Sequence, residues 1–193
     1  MEEEFLLGFG QTVDNLVTAF LGKVRTRIDP PSKMAGFYRA AREKHGAPLT
    51  LLAAQKLKEK VRAGDNVILI TNSYEMDGPV GVAALARAID VGLGATPVIV
   101  SCLEETPLMP GPYAVSSKVL PQTCIAAGMM PVHFEKVRDR PHRLVIQRFP
   151  LTSAEEAVRE SEKILGELNP SVVVSSEAMG RNKKGVYHSA WGY

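Results

Sequence analysis

The sequence predicts an open, mainly parallel α/β sheet with helices on both faces, three-layered and Rossmann-like, preceded by an N-terminal helical arm. Three observations carry that prediction. Short apolar, β-branched runs at 66–71 and 97–102 have strand length and no polar alternation, the mark of strands buried on both faces. Longer segments with helical spacing stand between such runs, and strands alternating with helices imply parallel pairing through crossover connections. Finally, the 16 Gly and 13 Pro fall mainly between these segments, with no repeat and no low-complexity run.

Taken in order, residues 12–23 set Val13, Leu16, Val17, Phe20 and Leu21 at helical spacing behind Thr12 as N-cap. Asp29-Pro30-Pro31-Ser32 then reads as a linker, because two proline rings remove two backbone donors. The expected division is an arm and linker over 1–31 and an α/β domain over 32–193. Residues 49–63 form the next helix, with Leu52, Leu57 and Val61 near one face and Gly64 as its stop. After the strand at 66–71 comes an Ala-rich helix at 80–91, a turn at 92–96 and the strand at 97–102. A helix at 114–127, irregular at Pro121, precedes strands near 131–135 and 144–149. The segment 153–168 is the clearest helix, opened by the capping box Ser153-x-x-Glu156, and a last strand at 171–175 runs into a Gly-rich tail.

Composition narrows the function classes. With 193 residues, 45% hydrophobic and 23% charged, the chain has material for a core and is not intrinsically disordered. Its 23 Lys+Arg against 21 Asp+Glu give a net charge of +2, which supplies no concentrated basic face for nucleic acid, and the cluster Lys136, Arg138, Arg140, Arg143 is too small to change that. No apolar run approaches membrane-spanning length, so no membrane partner is expected. The start Met-Glu-Glu-Glu-Phe lacks the basic n-region of a secretory signal, which makes a cytoplasmic setting the expectation. Cys102 and Cys124 show neither CxxC spacing nor a nearby His cluster, so reduced thiols are expected and no zinc site or disulfide scaffold.

Ligands of open α/β sheets gather beyond the carboxyl ends of the strands, which directs attention to three loops. The first is Thr71-Asn72-Ser73-Tyr74-Glu75-Met76-Asp77-Gly78-Pro79-Val80-Gly81, running straight into a helix. Asp77 can cap that helix, Pro79 suits its first turn, and Gly78 and Gly81 let an anion approach the exposed amides and the positive end of the dipole. The alternative is that Asp77 only caps and Glu75 is only solvated. The second loop carries Glu104, Glu105, Pro107, Pro110 and Pro112 and reads as a plain surface connection, with Cys102 before it as a buried structural thiol. The third is the tail. Ser176-Glu177-Ala178-Met179-Gly180-Arg181-Asn182 and Gly185-Val186-Tyr187-His188 gather an acid, a guanidinium, an amide, a phenol and an imidazole within a few residues. Arg181 offers a planar fork for a carboxylate, while Tyr187 and His188 can donate or relay protons; the alternative is a solvated basic loop. Gly92-Leu93-Gly94 follows a helix instead of a strand and so is not a dinucleotide fingerprint, and His45, His133 and His142 are isolated.

The pairing of Glu75-Met76-Asp77-Gly78-Pro79-x-Gly81 with Glu177-Ala178-Met179-Gly180-Arg181 and Gly185-Val186-Tyr187…Gly192 resembles the D-glutamate cyclase family, and more narrowly its C-terminal domain, over about 61–193. Met76 stands where that family usually has Thr, Ala178 where it has Arg, and Ser189 near an expected Asn. The family domain also continues into further strands and a second acidic, Gly-rich loop that has no counterpart here, so the chain is expected to stop short of the full domain. The resemblance implies conversion of D-glutamate to 5-oxo-D-proline and water. It assigns proton transfer to Glu75 or Glu177, orientation of the substrate ammonium to Asp77, and carboxylate binding to Arg181 with the helix start at Gly78 and Gly81. Asn72, Asn182, Tyr187 and His188 complete the expected substrate contacts. No cofactor is demanded, but Mn²⁺ or Mg²⁺ bridging Glu75, Asp77 and Glu177 would suit carboxylate oxygens. The expected partner is a small amino acid, with a homo-oligomer compatible; the compartment becomes the mitochondrial matrix if the chain is a piece of a eukaryotic member.

Overall fold

The computed structural model describes residues 2–24, 31–71, 77–102, 119–150, 152–176 and 180–186, and the chain divides into two units, Met1–Lys60 and Val61–Tyr193. The first unit is helical: α1 (Glu2–Val24), α2 (Pro31–His45) and α3 (Leu49–Lys60). Three expectations are corrected here. The first helix begins ten residues earlier than the spacing at 12–23 suggests, at Glu2, where three acids sit in the positive first turn. Thr12 is therefore not its cap; its hydroxyl donates to the Gly8 carbonyl one turn back, at 2.9 Å. Pro31 opens α2 where a linker was expected, because a proline at the first helical position loses only an amide that would have no helical partner. The third helix ends at Lys60, and Gly64, at φ +86°, shapes the turn beyond it, donating its amide to the Gly94 carbonyl at 2.9 Å.

Two close approaches hold this unit together. Gly10 lies where α1 meets the start of α3, and a Cβ there would stand 2.9 Å from Leu51 Cβ and 3.1 Å from Pro48 Cβ, so only glycine allows the contact. One turn on, the buried Asp14 caps α3 from outside that helix. Its Oδ2 accepts from the Leu49 amide (2.7 Å) and the Tyr38 hydroxyl (2.9 Å), and its Oδ1 from the Thr50 amide (3.2 Å) and hydroxyl (2.6 Å). Pro48, directly before α3, has no side-chain acceptor of its own, which leaves these amides to Asp14.

The second unit carries the sheet: β1 (Asn66–Thr71), α4 (Asp77–Leu93), β2 (Thr96–Ser101), α5 (Val119–Ala126), β3 (Met130–Pro131), a 3₁₀ turn (Phe134–Lys136), β4 (Arg143–Arg148), α6 (Ala154–Leu168) and β5 (Val172–Ser175). Strand order is β3-β4-β2-β1-β5 and every pairing is parallel, the α/β class that the sequence predicts. Ile68, Val98, Val100 and Val145 bury one sheet face under Ile164 and Leu168 of α6. The alternate residues Val67, Leu69 and Ile99 bury the other, where α4 contributes Val82, Ala83, Ala86 and Ile89. The third strand is shorter than the run at 131–135 suggests: it pairs only the start of β4, where the Met130 and Val132 amides donate to the His142 (2.7 Å) and Leu144 (2.9 Å) carbonyls, Pro131 sits on the edge side where no ladder amide is needed, and the chain turns at Phe134. For the helix expected at 114–127, residues 119–126 are helical and 114–118 lie outside the described residues. The capping box of α6 forms as read, with Ser153 and Glu156 bonding each other's backbone amides.

The end of α6 sets the place of β5. Asn169 closes the helix in the left-handed region at φ 40°, and the buried Asn66 donates its side-chain amide to the Leu168 carbonyl at 2.6 Å. The Ser171 amide then donates to the Asn66 carbonyl at 3.0 Å, which starts β5 beside β1. No helix among the described residues is long and apolar enough to cross a membrane.

Asp14 supplies a stability test. Burial alone would raise its carboxyl, but bonds from the Thr50 hydroxyl, the Leu49 and Thr50 amides and Tyr38 together hold it below its ordinary 3.8. Asp14→Ala is expected to cost about 2 kcal/mol in urea denaturation followed by helix circular dichroism. Because the folded pKa lies below the unfolded one, the contribution is complete above the unfolded value and is lost as pH falls through the folded value. The advantage of the wild type over Asp14→Ala should therefore shrink between about pH 5 and about pH 2; an equal gap at both contradicts the network.

Candidate functional site

The carboxyl ends of β1 and β5 are neighbours, and the winding of the chain reverses there. From β1 the chain moves through α4 to β2 on one side, whereas β5 returns by way of α6, on the opposite face, to the other side of β1. Such a reversal leaves a crevice at the strand ends, where open α/β sheets take their ligands. The Ser176 amide, directly after β5, donates to the Ile70 carbonyl at 2.8 Å. The Ser176 hydroxyl stands 3.9 Å from where a Cβ on Gly81 would be. The segment after the last strand thus lies against the start of α4.

Of the residues that the sequence nominates, Asp77, Gly78 and Gly81 come together at the start of α4. Asp77 is its first residue, exposed, with Oδ1 accepting from the Gly78 amide at 3.1 Å. Gly78 and Pro79 are buried in the first turn, and Gly81 is exposed beside Ser176. Pro79 fits there since a first-turn amide has no helical acceptor, and the remaining amides and the dipole favour an anion.

Arg181 and Asn182 lie on a separate exposed turn. The Asn182 side-chain oxygen accepts from the Lys184 (2.8 Å) and Val186 (3.1 Å) amides, and its carbonyl from the Gly185 amide (2.9 Å), with Gly185 at φ +75°. That oxygen is spent on folding the turn, so Asn182 shapes the segment that carries Arg181. Asn72, Glu75, Glu177, Tyr187 and His188 lie outside the described residues. So do two of the three carboxylates nominated for a metal; Asp77 is the described one.

One polar group escaped the sequence reading. Ser101 ends β2, pairs in register with the buried Thr71 at the end of β1, and is 2% exposed. Its hydroxyl is the one buried side-chain polar atom among the described residues without a hydrogen-bond partner. Leaving a buried donor unmade costs free energy, so such a group at the ligand end of a sheet is a candidate for binding. The available signal was a serine closing an apolar run, Pro-Val-Ile-Val-Ser, one residue before the cysteine that drew attention. Of the thiols, Cys124 is fully buried and desolvation pushes it up to about 11, which makes it a packing residue; Cys102 is half-buried after β2. A cavity of about 310 Å³ lined by Val132, His133, Gln147, Ile164 and Leu168 lies on the α6 face and includes none of the nominated residues.

Two substitutions test this geometry. Ser101→Ala removes an unpartnered hydroxyl and should leave unfolding free energy unchanged or raise it by up to about 1 kcal/mol; a loss above that shows a structural bond. Gly81→Ala places a methyl at ordinary contact distance from Ser176 inside a helix and should stabilise by about 0.5–1 kcal/mol in the same denaturation assay. A destabilised Gly81→Ala would mean that α4 and the segment after β5 are packed more tightly than this.

A family model described as "D-glutamate cyclase-like, C-terminal" matches residues 41–193. No curated protein and no solved structure matches the chain. The matched span covers the whole sheet and both motif-bearing loops, and the chain belongs to the D-glutamate cyclase-like C-terminal domain family.

Proposed function

We propose that this chain is a lyase of the D-glutamate cyclase type, converting D-glutamate to 5-oxo-D-proline and water. The observation that carries the reading is the nearness of Ser176 to Gly81, its hydroxyl 3.9 Å from where a Cβ would stand, which sets the start of α4 beside the segment that leads into Glu177 and Arg181 in a chain of this family. The reaction joins the α-nitrogen to the carbon of the γ-carboxyl group and breaks one of that carbon's bonds to oxygen. An ammonium must first lose a proton to a base, the γ-carboxylate must be polarised, and the departing oxygen must gain protons to leave as water.

In this reading Asp77 orients the substrate ammonium, and Glu75 or Glu177 takes its proton and delivers one to the leaving oxygen. Gly78, Gly81 and the open first turn of α4 receive one carboxylate and Arg181 the other, with Asn72, Asn182, Tyr187 and His188 as further contacts. Ser101, at the carboxyl end of β2 beside β1, joins this set as a further donor. Glu75, Asp77 and Glu177 would hold a Mn²⁺ or Mg²⁺, whose charge would polarise the γ-carboxylate. A reducing compartment suits Cys102 and Cys124, which form no disulfide, and we place the protein in the cytoplasm.

The test is incubation of the purified chain with D-glutamate, with and without Mn²⁺, and chiral chromatography for 5-oxoproline. Turnover is expected with the D-isomer, and Asp77→Asn should lower kcat/KM by about 100-fold or more with an unchanged melting temperature. No product at any metal concentration overturns the lyase reading. If calorimetry then shows D-glutamate binding that Asp77→Ala removes, the domain is a non-catalytic carboxylate-binding module.

A further inference from the structure

The α1 helix has two faces of opposite fate. Gly10 and Asp14 are buried towards α2 and α3, with Gln11 and Thr18 partly buried beside them. Directly across the helix, Phe5, Phe9 and Leu16 are 69%, 61% and 71% exposed. Phe5 and Phe9 stack on each other at 6.2 Å between ring centres, which makes them one continuous apolar surface. Positions 5, 9, 12, 16, 20 and 23 are spaced alternately by four and three residues, save one further step of four, and so fall on a single line of the helix. Four of these six positions are Phe or Leu, with Thr12 and Lys23 between and after them, and a mainly apolar line at this spacing is the seam of a helix pair. It lies in residues 1–40, outside the part of the chain that matches the family.

Charge identifies the occupant. Glu2, Glu3 and Glu4 open the helix and Lys23 stands near its end, so α1 is acidic at one end and basic at the other. A second copy laid antiparallel, in the register where paired residue numbers add to 25, sets position 2 opposite position 23, 5 opposite 20 and 9 opposite 16, twice over by symmetry, which brings the acidic start of each helix to the end that carries Lys23 in the other. Parallel pairing would set three acids against three acids. A lipid surface fits poorly, because the charged residues of α1 before Lys23 are all acidic, whereas helices lying on membranes carry Lys and Arg beside the apolar stripe.

We infer that the Phe5–Phe9–Leu16 face of α1 is a self-association surface, which pairs two copies of this chain through antiparallel α1 helices. The experiment is sedimentation velocity on the full chain across a concentration series. A reversible dimer is expected, weakened by raising salt, and both Phe9→Glu and Leu16→Glu should raise its dissociation constant by about tenfold or more. Both positions are exposed, so circular dichroism should show both variants folded; if one misfolds, the other carries the test. A chain carrying Glu2→Lys and one carrying Lys23→Glu should each self-associate more weakly than the wild type and recover affinity when mixed. A monomer at about 100 µM, a dimer indifferent to both apolar substitutions, or one strengthened by salt overturns the inference. So does an α1 that leaves the chain monomeric but binds anionic vesicles through Phe9.

Discussion

Everything at the functional end of this protein depends on the parallel pairing of β5 with β1. Val67 to Ile70 lie in register with Val172 to Ser175, and that register is fixed at both ends. Below, Asn66 holds the last carbonyl of α6 with its side chain and the first amide of the returning strand with its backbone. Above, the Ser176 amide bonds the Ile70 carbonyl. A slip of one residue would turn each β5 side chain to the other sheet face and move Ser176 away from Gly81. The crevice is thus a product of register, in which the buried Asn66 at the far end of the strands helps to position the start of the segment after β5.

The two units use the same chemical group in opposite ways. Asp14 receives four donors, is buried, and spends its charge on closing α3. Asp77 opens α4, is exposed, and holds one amide of its own turn at 3.1 Å. Oxygens with all their partners supplied by the fold have nothing left for a ligand; an exposed acid at a helix start that holds one amide of its own turn has. That contrast assigns Asp14 to stability and leaves Asp77 able to meet a ligand, a distinction that residue type cannot make.

The strands were legible because a parallel sheet buries both faces, which writes Val-Ile-Leu-Ile and Val-Ile-Val as uninterrupted apolar runs. The start of α6 was legible because its capping box is local. The helical unit was less so. Gly8 and Gly10 hid the first two turns of α1, and Gly10 is there for a contact with Pro48 and Leu51 that no local pattern announces. The cap of α3 comes from 35 residues away. At the site, the rule that ligands sit at strand ends picked out the two loops, but their adjacency needed the β5–β1 pairing. Ser101 could not be read at all, since lacking a partner is a property of the folded surroundings and not of a serine.

The α1 helix shows how a sequence can carry two instructions at one period. The residues at 10, 14 and 18 face α2 and α3, while those at 5, 9, 12 and 16 lie half a turn away and remain uncommitted within the chain. A polar outer face would have served the fold equally well, since the inner face already satisfies the packing. Keeping two phenylalanines and a leucine in water carries a solubility penalty that folding does not offset, so the outer face answers to something other than the fold. The family match begins at residue 41, after α1, and takes in the whole sheet. The self-association surface we propose and the proposed site therefore lie in separate stretches of the chain, and a charge placed at Phe9 probes the first without replacing a residue of β1, β5 or the start of α4.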